Sequence, residues 1–185
     1  MTPSRQIFRG GPIFDGATIR PDHRLIVQGG KVVALEADRG AVAGDIIDLG
    51  GDILSPGFVD LQVNGGGGVM FNDAPTLSTL QCMTRAHGNL GATSILATLI
   101  TDTAEKTAAA LQAAKQAAAT KLPGFAGLHL EGPHLSVARK GAHSAGLIRP
   151  MGQADMDMLL DGAAHLPVLM LTIAPENVSL DQVRA

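Results

Sequence analysis

Tryptophan and tyrosine are missing from this 185-residue chain, and five phenylalanines are its only aromatic residues. Stacking platforms for nucleic-acid bases are therefore not expected. A basic excess is missing as well: 14 Lys and Arg stand against 17 Asp and Glu, a net charge of −3. A nucleic-acid footprint would need basic residues concentrated on one face. One cysteine, Cys82, excludes an internal disulfide framework and suits a reducing compartment. Long apolar runs are lacking, since Ile95–Ile100 and Val168–Ile173 are too short to cross a bilayer. The N-terminus also lacks the apolar core of a signal peptide. The expectation is a cytoplasmic protein that engages neither nucleic acid nor membrane. What remains, 45% hydrophobic and 17% charged residues, describes a soluble globular chain with a sizeable core, as one large domain or two small ones.

Two patterns share the chain. Up to about residue 55, short apolar runs alternate with tight turns: Ile7-Phe8, Gly11–Phe14, Leu25–Val27, Lys31–Leu35 and Asp45–Leu49. Asp15-Gly16 and Gly29-Gly30 sit where hairpins need positive φ. Residues 1–55 thus read as a small antiparallel β unit. From residue 56 to 185 strands alternate with helices. Strands are predicted at Phe58–Asn64, Ala92–Ile100, Phe125–Glu131 and Pro167–Ile173. Helices are predicted at Leu77–Leu90, Ala104–Thr120, Gln153–Ala164 and from Ser179 onward. That spacing implies βαβ units and a parallel sheet, an α/β architecture of four βα units, half of an eightfold barrel. Cys82 falls within the first helix, where a small buried apolar residue is expected rather than a nucleophile.

The strand Gly127-Leu-His-Leu-Glu-Gly-Pro-His134 is the most informative segment. Period-2 alternation puts His129 and Glu131 on one face and Leu128 and Leu130 on the other. The leucines suit the layer between strand and helices, so the polar pair points to the interior. Gly132 and Pro133 end the strand at once, and the C-terminal ends of such strands build active-site mouths. A desolvated carboxylate needs a cation or donors, so Glu131 is a candidate metal ligand; the alternative is a carboxylate that caps a loop amide.

On the first strand Asp60, Gln62 and Asn64 share a face. Amides are poor ligands for a borderline-soft cation. Gln62 and Asn64 are candidates for hydrogen-bonding a substrate or bound water, or else for satisfying backbone groups near the turn. The run Gly65–Gly68 follows without a Walker-type lysine, so close packing at the mouth is expected of it rather than a phosphate cradle. The long loop after Glu131 carries His134, Arg139, Lys140 and His143 and ends near Arg149. Long loops inside compact domains are usually functional, and these groups suit an anionic small molecule or are a solvated face. His23, His87 and His165 are expected to be surface or capping residues.

Taken together, Pro56-Gly-Phe-Val-Asp-Leu-Gln-Val-Asn-Gly65, the Ala92–Leu99 strand, Gly127–His134 and Lys140-Gly-Ala-His143 resemble the N-acetylglucosamine-6-phosphate deacetylases of the amidohydrolase superfamily. The resemblance implies a (β/α)8 TIM-type barrel with a small β-sandwich, of which this chain is the N-terminal half. It implies hydrolysis of the acetamide of N-acetylglucosamine 6-phosphate to glucosamine 6-phosphate and acetate. Glu131 becomes the metal ligand, and Ala142 and His143 line the sugar-phosphate site beside Gln62 and Asn64. One divalent ion, zinc, is implied, because the paired histidines of the first strand are absent. The catalytic base and further metal ligands are expected beyond Ala185, so residues 1–185 alone should be inactive and should expose two strand edges. A homo-oligomer is expected of the full-length protein. Two other readings remain: an amidohydrolase acting on a cyclic amide or nucleobase, and a non-catalytic half-barrel module.

Overall fold

Ile7 and Ile26 face each other across two strands, each essentially excluded from solvent, and the N-terminal residues fold around that pair. In the computed structural model, which describes residues 4–185, the chain divides into two units, one up to Pro56 and one from Gly57 to Ala185. The first contains β1 (Arg5–Arg9), β2 (Ile13–Phe14), β3 (Ile19–Arg20), β4 (His23–Gln28), β5 (Lys31–Ala37) and β6 (Asp45–Asp48). Its main sheet has the order β5-β4-β1-β6, and β2 pairs with β3. Gly29 and Gly30, at φ 59° and 75°, make the β4–β5 turn that only positive φ allows. Asp15 closes the other turn by accepting from the amides of Ala17 and Thr18 at 2.9 and 2.8 Å.

The expectation of a wholly antiparallel unit fails at one edge: β6 runs parallel to β1. The segment after β5 passes to the far side of β1 instead of returning as a hairpin. Gly44 permits the crossing, since a Cβ there would lie 2.6 Å from the Arg5 carbonyl oxygen.

The second unit contains β7 (Phe58–Val63), β8 (Gly65–Gly66), β9 (Val69–Met70), α1 (Leu77–Gly88), β10 (Ala92–Ile100), α2 (Ala104–Ala119), β11 (Phe125–Glu131), α3 (Gln153–Ala163), β12 (Leu169–Thr172) and α4 (Leu180–Arg184). Strands β7, β10, β11 and β12 are parallel and lie side by side in chain order, giving an α/β half-barrel sheet. Alternation sets its two faces. Ala97, Leu99, Leu128 and Leu130 enter the apolar core beside Leu80, Met83, Ala110, Leu111 and Ala114 of α1 and α2. Small residues on the inner face of α2 let the helix lie close to the sheet, and each fully buried leucine contributes about 1.5–3 kcal/mol.

Threonines start the first two of these helices: Thr76 accepts from the Thr79 amide and Thr103 from the Lys106 amide. The third starts at Gly152, whose amide donates to Asp155 at 2.9 Å. The glycine run after β7 forms a small hairpin, β8–β9, rather than a plain turn. It lies against α1 so closely that a Cβ on Gly66 would meet the His87 ring, and one on Gly67 the Cys82 sulfur, each at 2.8 Å. His87 fastens it through a 2.9 Å hydrogen bond to the Gly65 carbonyl.

Candidate functional site

The face of the half-barrel sheet opposite the leucines is polar. His129 is 2% exposed and fills this layer: Nδ1 lies 3.2 Å from the Thr98 hydroxyl of β10, and Nε2 lies 2.8 Å from the Thr172 hydroxyl of β12. Thr98 also accepts from the Val63 amide of β7 at 3.0 Å. One imidazole and two hydroxyls thereby tie four strands together. Burial pushes the His129 pKa below its ordinary value, with the Glu131 carboxylate opposing.

One turn of the pleat further on, at the C-terminal edge of β11, stands Glu131. Its side chain is 22% exposed, so it is shielded and still reachable. Gln62 Nε2 donates to Oε2 at 2.8 Å, joining the C-terminal ends of β7 and β11. His143 Nε2 lies 3.5 Å from Oε1. Thr101, just beyond β10, links the two residues: its hydroxyl donates to the Glu131 carbonyl at 3.2 Å and stands 2.9 Å from His143 Nδ1. The structure therefore brings Gln62, Glu131 and His143 into one cluster. Ala142 lies beside it, in the wall of an open cleft of ≈ 700 Å³ that Glu131, Arg139, Lys140, His143, Thr172 and Glu176 also line. Asn64 is just past the end of β7, and its carbonyl accepts from the Phe71 amide at 2.8 Å.

The loop residues separate into two sets. Arg139, Lys140 and His143 face the cleft, as an anion-binding loop would require. His134 and Arg149 do not. His134 is 4% exposed, and its Nδ1 sits 3.0 Å from the Arg149 carbonyl oxygen. Arg149 forks onto Asp155 of α3 at 2.5 and 2.6 Å, which holds the Asp155 carboxyl below the usual range. These two groups pin the ends of the loop: the buried His134 ring is held by the Arg149 carbonyl, and the Arg149 guanidinium is held by Asp155. At the rim Glu176 takes a hydrogen bond from Ser136, which lowers its pKa, and Arg139 adds to the effect.

Thr98, Thr101 and Thr172 escaped the reading of motifs. Their signal was a hydroxyl at or near the end of an otherwise apolar strand, and β-branched residues are ordinary in strands.

Could a divalent ion sit here? Structural and catalytic sites take three or four protein ligands. Among the described residues no group of three or more His, Cys, Asp and Glu side chains converges. Glu131 is thus suited to supply one ligand, with His143 next to it, and the described residues by themselves do not enclose an ion.

The chain is similar to amino-sugar-phosphate deacetylases. The N-acetylgalactosamine-6-phosphate deacetylase of Shewanella sp. (strain ANA-3) is 46% identical over 131 residues, covering 71% of this chain and 33% of that protein. The N-acetylglucosamine-6-phosphate deacetylase of Haemophilus influenzae is 38% identical over 135 residues, covering 73% of this chain and 35% of that one. The solved N-acetylglucosamine-6-phosphate deacetylase of Pasteurella multocida superposes with a TM-score of 0.87 at 33% identity, covering 94% of this chain and 45% of its own. No family model matches the sequence. The chain spans between a third and a half of the length of these relatives.

Proposed function

From a chain homologous to part of the N-acetylglucosamine-6-phosphate deacetylases, we propose the first half of an enzyme that hydrolyses the acetamide of an N-acetylhexosamine 6-phosphate. In this reading residues 56–185 are the first four βα units of a (β/α)8 barrel, and residues 1–55 belong to a small β-sandwich. The observation that supports it most is the union of Gln62, Glu131 and His143 at the C-terminal ends of parallel strands, over a cleft carrying Arg139 and Lys140.

Glu131 would hold a divalent ion, zinc, as one of its ligands. Bound there, such an ion would supply a water of pKa near 7 and would polarise an amide carbonyl. Gln62 fixes the carboxylate by donating to Oε2 at 2.8 Å and so would orient it for the ion. His143 and Ala142 orient the sugar, Asn64 borders the mouth, and the cations of Arg139 and Lys140 attract the phosphate. The remaining ligands and the proton acceptor lie outside residues 1–185. The products are the free amino-sugar phosphate and acetate, made by a cytoplasmic homo-oligomer.

The sugar is N-acetylglucosamine 6-phosphate in the first reading. The 46% identity to an N-acetylgalactosamine-6-phosphate deacetylase supports its C4 epimer as a second. The deciding assay measures acetate released from each sugar phosphate by the full product of the gene, beside its Glu131→Gln variant. We expect release by the parent protein and a drop of about three orders of magnitude or more in the variant, with loss of bound zinc. Equal rates in both would remove Glu131 from the metal site, and no release from either sugar would remove the deacetylase reading.

A further inference from the structure

Thr101 occupies a position that no motif singles out, yet both Glu131 and His143 lean on it. The residue is 6% exposed. Its hydroxyl has one proton to give and two lone pairs to receive. The Glu131 carbonyl oxygen lies 3.2 Å away and can only accept, so the proton goes there. His143 Nδ1, 2.9 Å away, must then be the donor. In the neutral ring a proton on Nδ1 leaves Nε2 bare.

The other side of the ring supports the same assignment. Nε2 stands 3.5 Å from Oε1 of Glu131. A proton on Nε2 aimed at a carboxylate would draw the pair to about 2.7–2.9 Å. At 3.5 Å the two atoms make no hydrogen bond to each other, so the Nε2 lone pair stays open to a donor from elsewhere. The hydroxyl is also confined. A Cβ on Gly132 would fall 2.2 Å from Thr101 Oγ1, so the strand-ending glycine at φ 96° is what leaves room for it.

We propose that Thr101 is a positioning residue: it sets the His143 tautomer that presents Nε2 as a hydrogen-bond acceptor at the Glu131 end of the cleft, so that the bound molecule must offer a hydroxyl there. This rests on the cleft being a sugar-phosphate site and adds to it which kind of atom of the ligand meets His143. An isostere carrying an ether or carbonyl at that position is rejected, since two acceptors would then face each other unpaired.

The test uses long-range proton–nitrogen correlation spectra of the labelled protein at a pH where its histidines are neutral. His143 is assigned by the signal lost in His143→Gln. Parent protein and Thr101→Ser should carry the proton on Nδ1; in Thr101→Val, where a methyl replaces the hydroxyl, the proton should move toward Nε2. The five other histidines report whether the valine variant keeps its fold; if it does not, the parent and serine spectra decide. A proton on Nε2 in the parent or in Thr101→Ser, or a folded valine variant still protonated on Nδ1, overturns the proposal. In the full-length enzyme Thr101→Val should raise KM about tenfold with kcat little changed, and Thr101→Ser should restore it. A parent protein that keeps the Nδ1 proton but releases no acetate would sink the deacetylase reading alone and uphold the tautomer.

Discussion

Replacing Asp155 with asparagine should destabilise the second unit by about 2–3 kcal/mol at neutral pH. Asp155 is 7% exposed and accepts three hydrogen bonds, two from the Arg149 guanidinium and one from the Gly152 amide. Hydrogen bonds to charged partners are worth about 1.5–3 kcal/mol each when counted singly, and truncating one partner of a buried ion pair costs about 3–5 kcal/mol. Two features reduce that figure. The Arg149 side chain is 40% exposed, so water can take over part of its solvation. Asparagine also keeps one acceptor oxygen, which can serve either the amide or one guanidinium nitrogen. Urea titration of parent and variant measures the difference. The same pair predicts its own pH dependence. Arginine donors hold the Asp155 pKa below the unfolded carboxylate value of about 3.9, so the native state favours the ionised form. The pair's contribution is therefore complete above that value and is lost as pH falls through the lowered native pKa. Parent and variant should converge in acid. A difference under about 0.5 kcal/mol at pH 7, or one that persists unchanged into acid, would refute the role assigned to the ion pair.

Leu128→Ala should cost about 2–5 kcal/mol by the same titration, because the side chain is fully enclosed between β11 and the helices. Gly132→Ala combines a φ of 96° with a Cβ 2.2 Å from Thr101 Oγ1; it should lower stability by about 2–4 kcal/mol and abolish the Nδ1 signature of His143. Gly67→Ala places a Cβ 2.8 Å from Cys82 Sγ at φ 65°. It should cost about 1–3 kcal/mol, part of it recovered in the double variant with Cys82→Ala, whereas full additivity would show that the sulfur is not the obstacle.

Most of the second unit was legible because its strands and helices differ in period. The predicted strands at Ala92–Ile100 and Phe125–Glu131 coincide with β10 and β11, and the helices differ by a residue or two at their ends. The alternation in Leu-His-Leu-Glu gave both faces of β11 correctly, since burial of Leu128 and Leu130 in the core forces His129 and Glu131 to the other side. Strand order and direction in the first unit were less accessible. A short apolar run such as Asp45–Asp48 carries no mark of which neighbour it will join, or in which direction. The cluster at the mouth was readable as far as Glu131, Gln62 and His143. Thr101 was not, because its part depends on a hydroxyl meeting residues 30 and 42 positions away in sequence. His134 and Arg149 show the opposite failure: residue types suited to a ligand are used instead to anchor the loop.

The hairpin of glycines rests on the sulfur of Cys82, the chain's single thiol. The sulfur is half-buried, with its thiol donating to the Gly66 and Gly67 carbonyls at 3.8 and 3.6 Å. The seated hairpin thus crowds one side of it, and an alkylating reagent should react faster when residues 65–70 lift from the helix. The labelling rate then becomes a stopwatch for motion at the rim, free of background from any other cysteine, and slowing of that rate by a ligand would reveal occupancy without any turnover.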